Sequence, residues 1–151
     1  MKFRLVDKIT EYSPHRFITG EKALSLEEFF LLRPLGHQKI LPPTLMAEAL
    51  FQLSNFLIFK SFGTKLGHLV MFEKIHFHGT MQPGDVLAMR VDMTRVIDDA
   101  VMLNGSGSID GKVVIEGVGC IAKLIEIETL VNPVKFEILF NNLFSGRLSS
   151  S

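Results

Sequence analysis

A single carboxylate, Glu48, lies in an apolar stretch that follows a Gly-His pair and a double proline. The segment from Arg33 to Leu57, which contains all of these residues, reads RPLGHQKILPPTLMAEALFQLSNFL. The Gly-His pair is Gly36-His37, and the double proline is Pro42-Pro43. A histidine and a carboxylate on either side of a bound substrate can act as general base and general acid. The same residues are compatible with a loop histidine and a carboxylate in the first turn of a helix, where the helix dipole favours negative charge. From these residues alone both interpretations stay open.

The residues after the double proline predict one long buried helix. Proline suits the first turn of a helix and glycine its end, so we expect a helix from Pro42-Pro43 to Gly63. Apolar residues occupy nearly every side, which is typical of a helix that is buried all round. Glu48, Gln52 and Asn55 follow one another at steps of four and three residues. They therefore share one stripe, and this stripe must face polar partners.

Strand-like segments make up most of the remaining chain. Turn-forming residues separate them, and Asp110-Gly111 is the pair most typical of a tight hairpin. The predicted strands are 3–12, 16–24, 66–77, 86–97, 100–109 and 112–127, and a short helical turn is predicted at 25–28. Gly105, Gly107, Gly117 and Gly119 alternate within the last two strands, which indicates close approach by another body or strong curvature.

These elements predict an α+β fold in which one long central helix is wrapped by a curved antiparallel sheet. A chain of 151 residues suits a single domain. We expect that domain to cover residues 1–151, with a core at 1–130 and a C-terminal extension at 131–151. Thirteen phenylalanines without a tryptophan indicate either a wide core or an apolar cavity. We expect Phe51, Phe56 and Phe77 to line such a cavity.

Composition narrows the classes of partner and compartment. Sixteen basic and sixteen acidic residues leave no net charge, which argues against a general nucleic-acid binder. A single cysteine, Cys120, excludes an internal disulfide and is typical of a reducing compartment. No signal peptide is visible after Met1, and no apolar run is long enough to span a bilayer. We therefore expect a cytoplasmic protein without a membrane span.

Three segments carry a resemblance to a known family. LPPTLMAEALFQ at 41–52 is similar to the motif M-P-G-V-L-x-x-E-A-x-x-Q, and FEKIHFHGTMQPGDVL at 72–87 to F-x-x-x-V-x-P-G-D-x-L. FRLVDKITEYSP at 3–14 is similar to the opening strand of the same family. Together they make the chain resemble the FabZ-type 3-hydroxyacyl-ACP dehydratases, which have the hot-dog fold and act in fatty-acid metabolism.

The resemblance implies a homodimer with an acyl chain in a tunnel between the subunits. The substrate would be an acyl-ACP or acyl-CoA thioester, with acyl carrier protein as a possible partner and no metal or other cofactor. In the family a histidine of one subunit removes the alpha proton, and a glutamate of the other protonates the leaving hydroxyl. On this basis His37 and Glu48 are the predicted catalytic residues. The predicted substrate-binding residues are Pro43, Thr44, Phe51, Gln52, Phe77 and Gly79.

Two positions depart from the family motifs. The family histidine lies eight residues before the first proline of the helix, where this chain has Pro34, whereas His37 comes three residues later. Either the loop is shorter and His37 serves as the base, or the base is absent. The glycine whose N–H polarises the thioester carbonyl is replaced by Pro43, which has no N–H. Thr44 is the nearest replacement donor.

Three functions follow as alternatives. The first is a 3-hydroxyacyl-thioester dehydratase in which His37 and Glu48 meet across the dimer. The second is a hot-dog protein that binds acyl thioesters without turnover, as a partner to an active homologue. The third is a hot-dog thioesterase, in which Glu48 would activate water.

His76 and His78 form a second group of chemically capable residues. Two residues apart on a strand, they point to the same face, and two histidines can supply half of a metal site. No third ligand lies at a telling spacing. We therefore expect a strand face near the tunnel mouth and no metal.

Overall fold

The central helix, α1, covers Pro43–Phe62 in the computed structural model, which describes residues 4–25 and 40–148, the last four by their backbone alone. Its start and end agree with the prediction. Gly63 ends it with a φ of 77°, and the Gly63 N–H donates to the Phe59 carbonyl at 2.8 Å. His37, and all of the predicted turn at 25–28 except Ser25, lie outside the described residues.

No helix within the described ranges is long and apolar enough to cross a membrane. α1 has the length, but Glu48, Gln52, Ser54, Asn55 and Lys60 interrupt its apolar residues. The cytoplasmic location stays a prediction.

Within the described residues, eight strands form one sheet around α1. They are β1 Lys8–Ser13, β2 Phe17–Ala23, β3 Lys65–Met71, β4 Lys74–Phe77, β5 Val86–Ile97, β6 Ala100–Ile109, β7 Lys112–Glu126 and β8 Phe144–Leu148. The order is β3-β7-β6-β5-β2-β1-β8, and β4 also pairs with β7. Every pair is antiparallel except β1 with β8. The predicted α+β architecture is confirmed.

The predicted strand 66–77 is two strands in the structure. The chain leaves β3 after Met71 and enters β4 at Lys74. Between them, the Glu73 N–H donates to the carbonyls of Val118 and Gly119, at 3.2 Å each. A strand break of this kind carries no Pro or Asn-Gly signal, which is why the sequence pattern missed it.

The polar stripe of α1 faces backbone donors of the surrounding chain, as predicted. The Gln52 Oε1 atom accepts from the Leu5 N–H at 2.8 Å, and the Asn55 Oδ1 atom accepts from the Gly67 N–H at 2.7 Å. A buried N–H without a partner costs about 1–3 kcal/mol. The side-chain amides of Gln52 and Asn55 therefore stabilise the fold by accepting from the Leu5 and Gly67 N–H groups. They attach α1 to the N-terminal segment and to β3.

The C-terminal segment contains a second helix that the sequence pattern did not predict. α2 covers Pro133–Leu143, and the Asn132 side chain caps it by accepting from the Lys135 N–H at 3.1 Å. Phe140 of α2 is only 2% exposed. Its ring lies 5.3 Å from that of Tyr12 and 6.1 Å from that of Phe56, centre to centre. α2 therefore closes one end of the core.

Phe140→Ala is expected to lower the free energy of unfolding by about 3–5 kcal/mol, the usual loss for a buried phenylalanine. The measurement is urea unfolding followed by circular dichroism. Ile138→Ala on the same helix is the matched control, because Ile138 is 53% exposed and should change stability by less than about 0.5 kcal/mol. Equal small effects from both variants would show that α2 does not belong to the cooperative unit.

Candidate functional site

An apolar cavity of about 430 Å³ lies between α1 and the inner face of the sheet. Its volume is within the usual range for a small-molecule site. α1 contributes Thr44, Ala47, Glu48, Leu50, Phe51 and Ser54 to the wall. The strand side and its connections contribute Leu69, Phe72, Ile75, Phe77, Val91, Leu103, Asn104, Gly105, Ile115, Gly117 and Cys120.

Glu48 is the acidic residue of the described cavity wall. It is the sixth residue of α1, and the first turn holds no acidic residue. The effect of the helix dipole fades beyond the first turn, so the interpretation of Glu48 as a first-turn carboxylate is wrong. Glu48 is half-buried beside the apolar side chains of the cavity wall, so it is not a fully solvated surface charge.

Gln52 holds the Glu48 carboxylate from one helical turn away. Its Nε2 atom donates to the Glu48 Oε2 atom at 3.4 Å. Its oxygen accepts from the Leu5 N–H, so the amide must present its NH₂ group toward Glu48. Leu5 thus fixes the orientation of Gln52, and Gln52 restricts that of Glu48.

The first turn of α1 adjoins the cavity. Pro43 is the first residue of the helix and has no N–H, so Thr44 carries the first N–H of α1. Thr44 lines the cavity. Helix N-termini attract negative charge through their free N–H groups and the helix dipole. An oxygen that gains negative charge during a reaction would be stabilised there.

The structure brings four of the predicted site residues together. Thr44, Glu48, Phe51 and Phe77 line the cavity, and their roles stay predictions. Pro43 and Gln52 lie outside the described cavity wall but next to it. Pro43 precedes Thr44 in the chain, and Gln52 donates a hydrogen bond to Glu48. Gly79 lies outside its described wall and packs instead near Val114, whose Cγ1 atom would lie 3.0 Å from an added Cβ. His37 lies outside the described residues.

Phe56 does not line the cavity, and that prediction was wrong. Its ring stacks on Phe136 of α2, with the ring centres 4.9 Å apart. Phe51 and Phe56 lie on the same helix, and the unpredicted α2 is what covers Phe56. The rings of Phe56 and Phe136 fill the core at this end of α1.

The four alternating glycines divide into two kinds. At Gly107 an added Cβ would lie 2.8 Å from the Leu87 Cδ1 atom, and at Gly119 it would lie 2.9 Å from the Glu73 Cβ atom. These two positions confirm the predicted close approach. Gly105 and Gly117 have more room, with nearest atoms at 3.5 and 3.4 Å, and both line the cavity. Sequence reasoning found the glycines but not this difference.

Cys120 also lines the cavity, where burial raises the pKa of its thiol. Because the thiolate is the reactive form, a raised pKa leaves less of it at neutral pH. We expect iodoacetamide to alkylate Cys120 more slowly in the folded protein than in guanidinium at the same pH. We also expect the folded rate to rise as the pH approaches the raised pKa. Mass spectrometry gives both rates, and faster alkylation of the folded protein would contradict this account.

His76 and His78 lie on the opposite face of β4 from Ile75 and Phe77. Their rings stack with centres 5.9 Å apart, and the His78 Nε2 atom lies 2.9 Å from the Glu116 Oε1 atom. In the part of the chain that the structure describes, no group of three His, Cys, Asp or Glu side chains could hold a metal ion.

Apolar side chains are exposed beside the cavity. Val70, Met71, Phe72 and Phe77 are 59%, 56%, 46% and 44% exposed. They belong to β3, β4 and their connection, and β3 ends the described sheet with β7 as its neighbour. An apolar patch beside an unpaired strand edge is typical of a surface that is covered by another chain.

Comparison with known proteins supplies the family. The profile of the FabA-like domain matches residues 1–118. The 3-hydroxyacyl-[acyl-carrier-protein] dehydratase FabZ of Clostridium botulinum is 31% identical over 116 residues, which cover 76% of this chain and 81% of that protein.

Two solved structures support the fold alone, because their sequence identities are low. The dehydratase heterocomplex ApeI:P from Xenorhabdus doucetiae matches with a TM-score of 0.62 at 15% identity, over 91% of this chain and 90% of that chain. A hypothetical thioesterase from Streptococcus pneumoniae, solved with coenzyme A, matches with a TM-score of 0.61 at 11% identity. The match covers 79% of this chain and 85% of that chain.

Proposed function

The chain belongs to the FabZ-type 3-hydroxyacyl-ACP dehydratases of the FabA-like domain family, and on that premise we propose that it removes water from 3-hydroxyacyl thioesters. The observation that carries the proposal is the position of Glu48, a half-buried carboxylate in the wall of an apolar cavity at the N-terminal part of α1. Such a cavity suits an acyl chain, and a single carboxylate in it suits proton transfer.

The proposed reaction is an elimination. A base removes the proton from the carbon next to the thioester carbonyl, and the electron pair forms the double bond. The carbon–oxygen bond of the 3-hydroxyl breaks, and Glu48 donates the proton that makes the leaving group water. The products are a trans-2-enoyl thioester and water. The Thr44 N–H at the start of α1 would stabilise the negative charge that develops on the carbonyl oxygen.

His37 is the proposed base, on the family resemblance. In the family this histidine comes from the other subunit, so the proposal includes a homodimer. The apolar patch at Val70, Met71, Phe72 and Phe77 beside the β3 edge supports it, because a second copy would cover these side chains. Full activity of a His37→Ala variant would assign the base to another residue. A monomer in equilibrium sedimentation at micromolar concentration would remove the composite site.

The decisive assay is hydration of trans-2-enoyl thioesters by the purified protein, followed by loss of the enoyl absorbance. Parallel reactions with the CoA and ACP thioesters identify the carrier. We expect slow turnover, because the usual glycine N–H is missing at Pro43. Binding without loss of absorbance would contradict the dehydratase. Release of free thiol would instead indicate a thioesterase.

A second candidate is acyl-thioester binding without turnover. Pro43 favours it, because loss of one oxyanion donor typically lowers kcat about 10²–10³-fold. The ApeI:P neighbour is described as a heterocomplex, which offers a precedent for a dehydratase-like subunit beside another. Under this candidate the protein alone binds acyl thioesters, shows no hydration, and is unaffected by a glycine at position 43.

A further inference from the structure

We propose that the cross-strand pair Gly105–Gly117 sets the length of acyl chain that the cavity accepts. The inference rests on the proposed function, since it assumes that the occupant is an acyl thioester. Gly105 of β6 pairs with Gly117 of β7, and both line the cavity. Because neither residue has a side chain, the pair forms a shallow groove in the inner face of the sheet, called the trough below.

Side chains on the same row enclose the trough at both ends. Val91 of β5 pairs with Gly105, and Ile75 of β4 pairs with Gly117, so the row reads Val91–Gly105–Gly117–Ile75 across four strands. All four line the cavity. Neighbouring strands lie about 4.8 Å apart. Two adjacent positions without side chains therefore leave a gap between two branched side chains that is wide enough for an alkyl chain.

Larger residues fill the rows on either side. Leu103 pairs with Cys120 on one side, and Gly107 pairs with Ile115 on the other, where an added Cβ at Gly107 would clash with Leu87. The trough in the cavity wall is therefore bounded on both sides by rows that carry larger side chains.

Packing does not require glycine at these two positions. Neither has a positive φ. A Cβ at Gly105 would make ordinary contact with the Leu50 Cδ1 atom at 3.5 Å, and one at Gly117 would meet the Cys120 Sγ atom at 3.4 Å. Glycine inside a strand destabilises it. The absence of side chains at these two positions therefore matters most for the width of the cavity. A methyl group at either position would narrow it.

The trough lies beyond the reacting end of the substrate. Gly105 lies below Leu50, six residues after Thr44 on α1, or about 9 Å along the helix axis. The thioester would sit near Thr44 and Glu48, and the tail would pass Leu50. Short acyl chains should then end before the trough, whereas longer ones should enter it.

The test compares the wild type with Gly105→Ala/Gly117→Ala by isothermal titration with butanoyl-, octanoyl- and dodecanoyl-CoA. Each buried methylene that is displaced should weaken binding about fourfold. We expect the double variant to bind dodecanoyl-CoA about tenfold more weakly and butanoyl-CoA within about twofold of the wild type. Ser106→Thr is the matched control, because it adds a methyl group on the opposite face of β6 and should leave the series unchanged.

Each outcome decides one claim. If the wild type binds none of the CoA thioesters, the same three acyl groups are titrated on ACP, and a wild type that binds neither series removes the proposed function. A wild type that prefers long chains, with the same preference in a folded double variant, overturns the role of the glycine pair alone. Circular dichroism reports folding. If the double variant does not fold, Gly117→Ala decides with the same series, because its Cβ meets only the Cys120 sulfur.

Discussion

Glu48→Gln is expected to lower the rate of enoyl-thioester hydration about 10²–10⁴-fold, the usual loss when a general acid or base is removed. Glutamine has the same shape and can still pair with Gln52, so binding and folding should persist. The effect should therefore appear in kcat rather than in the dissociation constant of the thioester.

Glu116→Gln is the matched control for Glu48→Gln. Glu116 is an exposed carboxylate on β7 that pairs with His78 and lies outside the described cavity wall. We expect the Glu116→Gln variant to hydrate the enoyl thioester at the wild-type rate. If Glu48→Gln kept more than about half of the wild-type rate, Glu48 would not be the proton donor, and the cavity would have to be explained as a binding site only.

Pro43→Gly is expected to raise kcat, by up to about 10²–10³-fold, because it restores an N–H at the first residue of α1. Thr44, which carries the first N–H of α1, lines the cavity, and two donors would stabilise the developing oxyanion better than one. The measurement is kcat for hydration of the same thioester, together with a thermal melt, since glycine also increases the freedom of the unfolded chain.

Pro42→Gly controls for that added freedom. Pro42 is the N-cap of α1, so its replacement loosens the same connection without placing an N–H inside the helix. We expect it to lose some stability without a gain in kcat. Equal rates for Pro43→Gly and the wild type would show that the donor is not the limiting defect.

The boundaries of α1 were predictable because their signals are local. Proline is tolerated in a helix only in its first turn, so Pro42-Pro43 marks the start of α1, and Gly63 readily adopts the positive φ that ends it. The ends of the strands were predictable for the same reason, because turn-forming pairs such as Asp110-Gly111 separate them. α2 was missed although Asn132-Pro133 is an N-cap followed by proline, because the helix is short and its apolar face was not recognised without Tyr12 and Phe56 beside it.

The cavity could be predicted only in part. Phe51 and Phe77 line it as expected, whereas Phe56 depends on α2, which was not foreseen. The alternating glycines look equivalent in the sequence. Only their neighbours distinguish Gly107, where Leu87 leaves no room for a Cβ, from Gly105, where a Cβ would make ordinary contacts and would lie in the cavity wall. Differences of this kind arise from tertiary contacts between distant segments, and no local pattern records them.

A crystal structure of Glu48→Gln with a bound 3-hydroxyacyl pantetheine thioester tests the central claim most directly. The proposal predicts that the substrate 3-hydroxyl lies within about 2.6–3.2 Å of the residue 48 side chain. It also predicts the thioester oxygen at the Thr44 N–H and the acyl tail between Gly105 and Gly117. A thioester bound outside this cavity, or with its 3-hydroxyl turned away from residue 48, would contradict it.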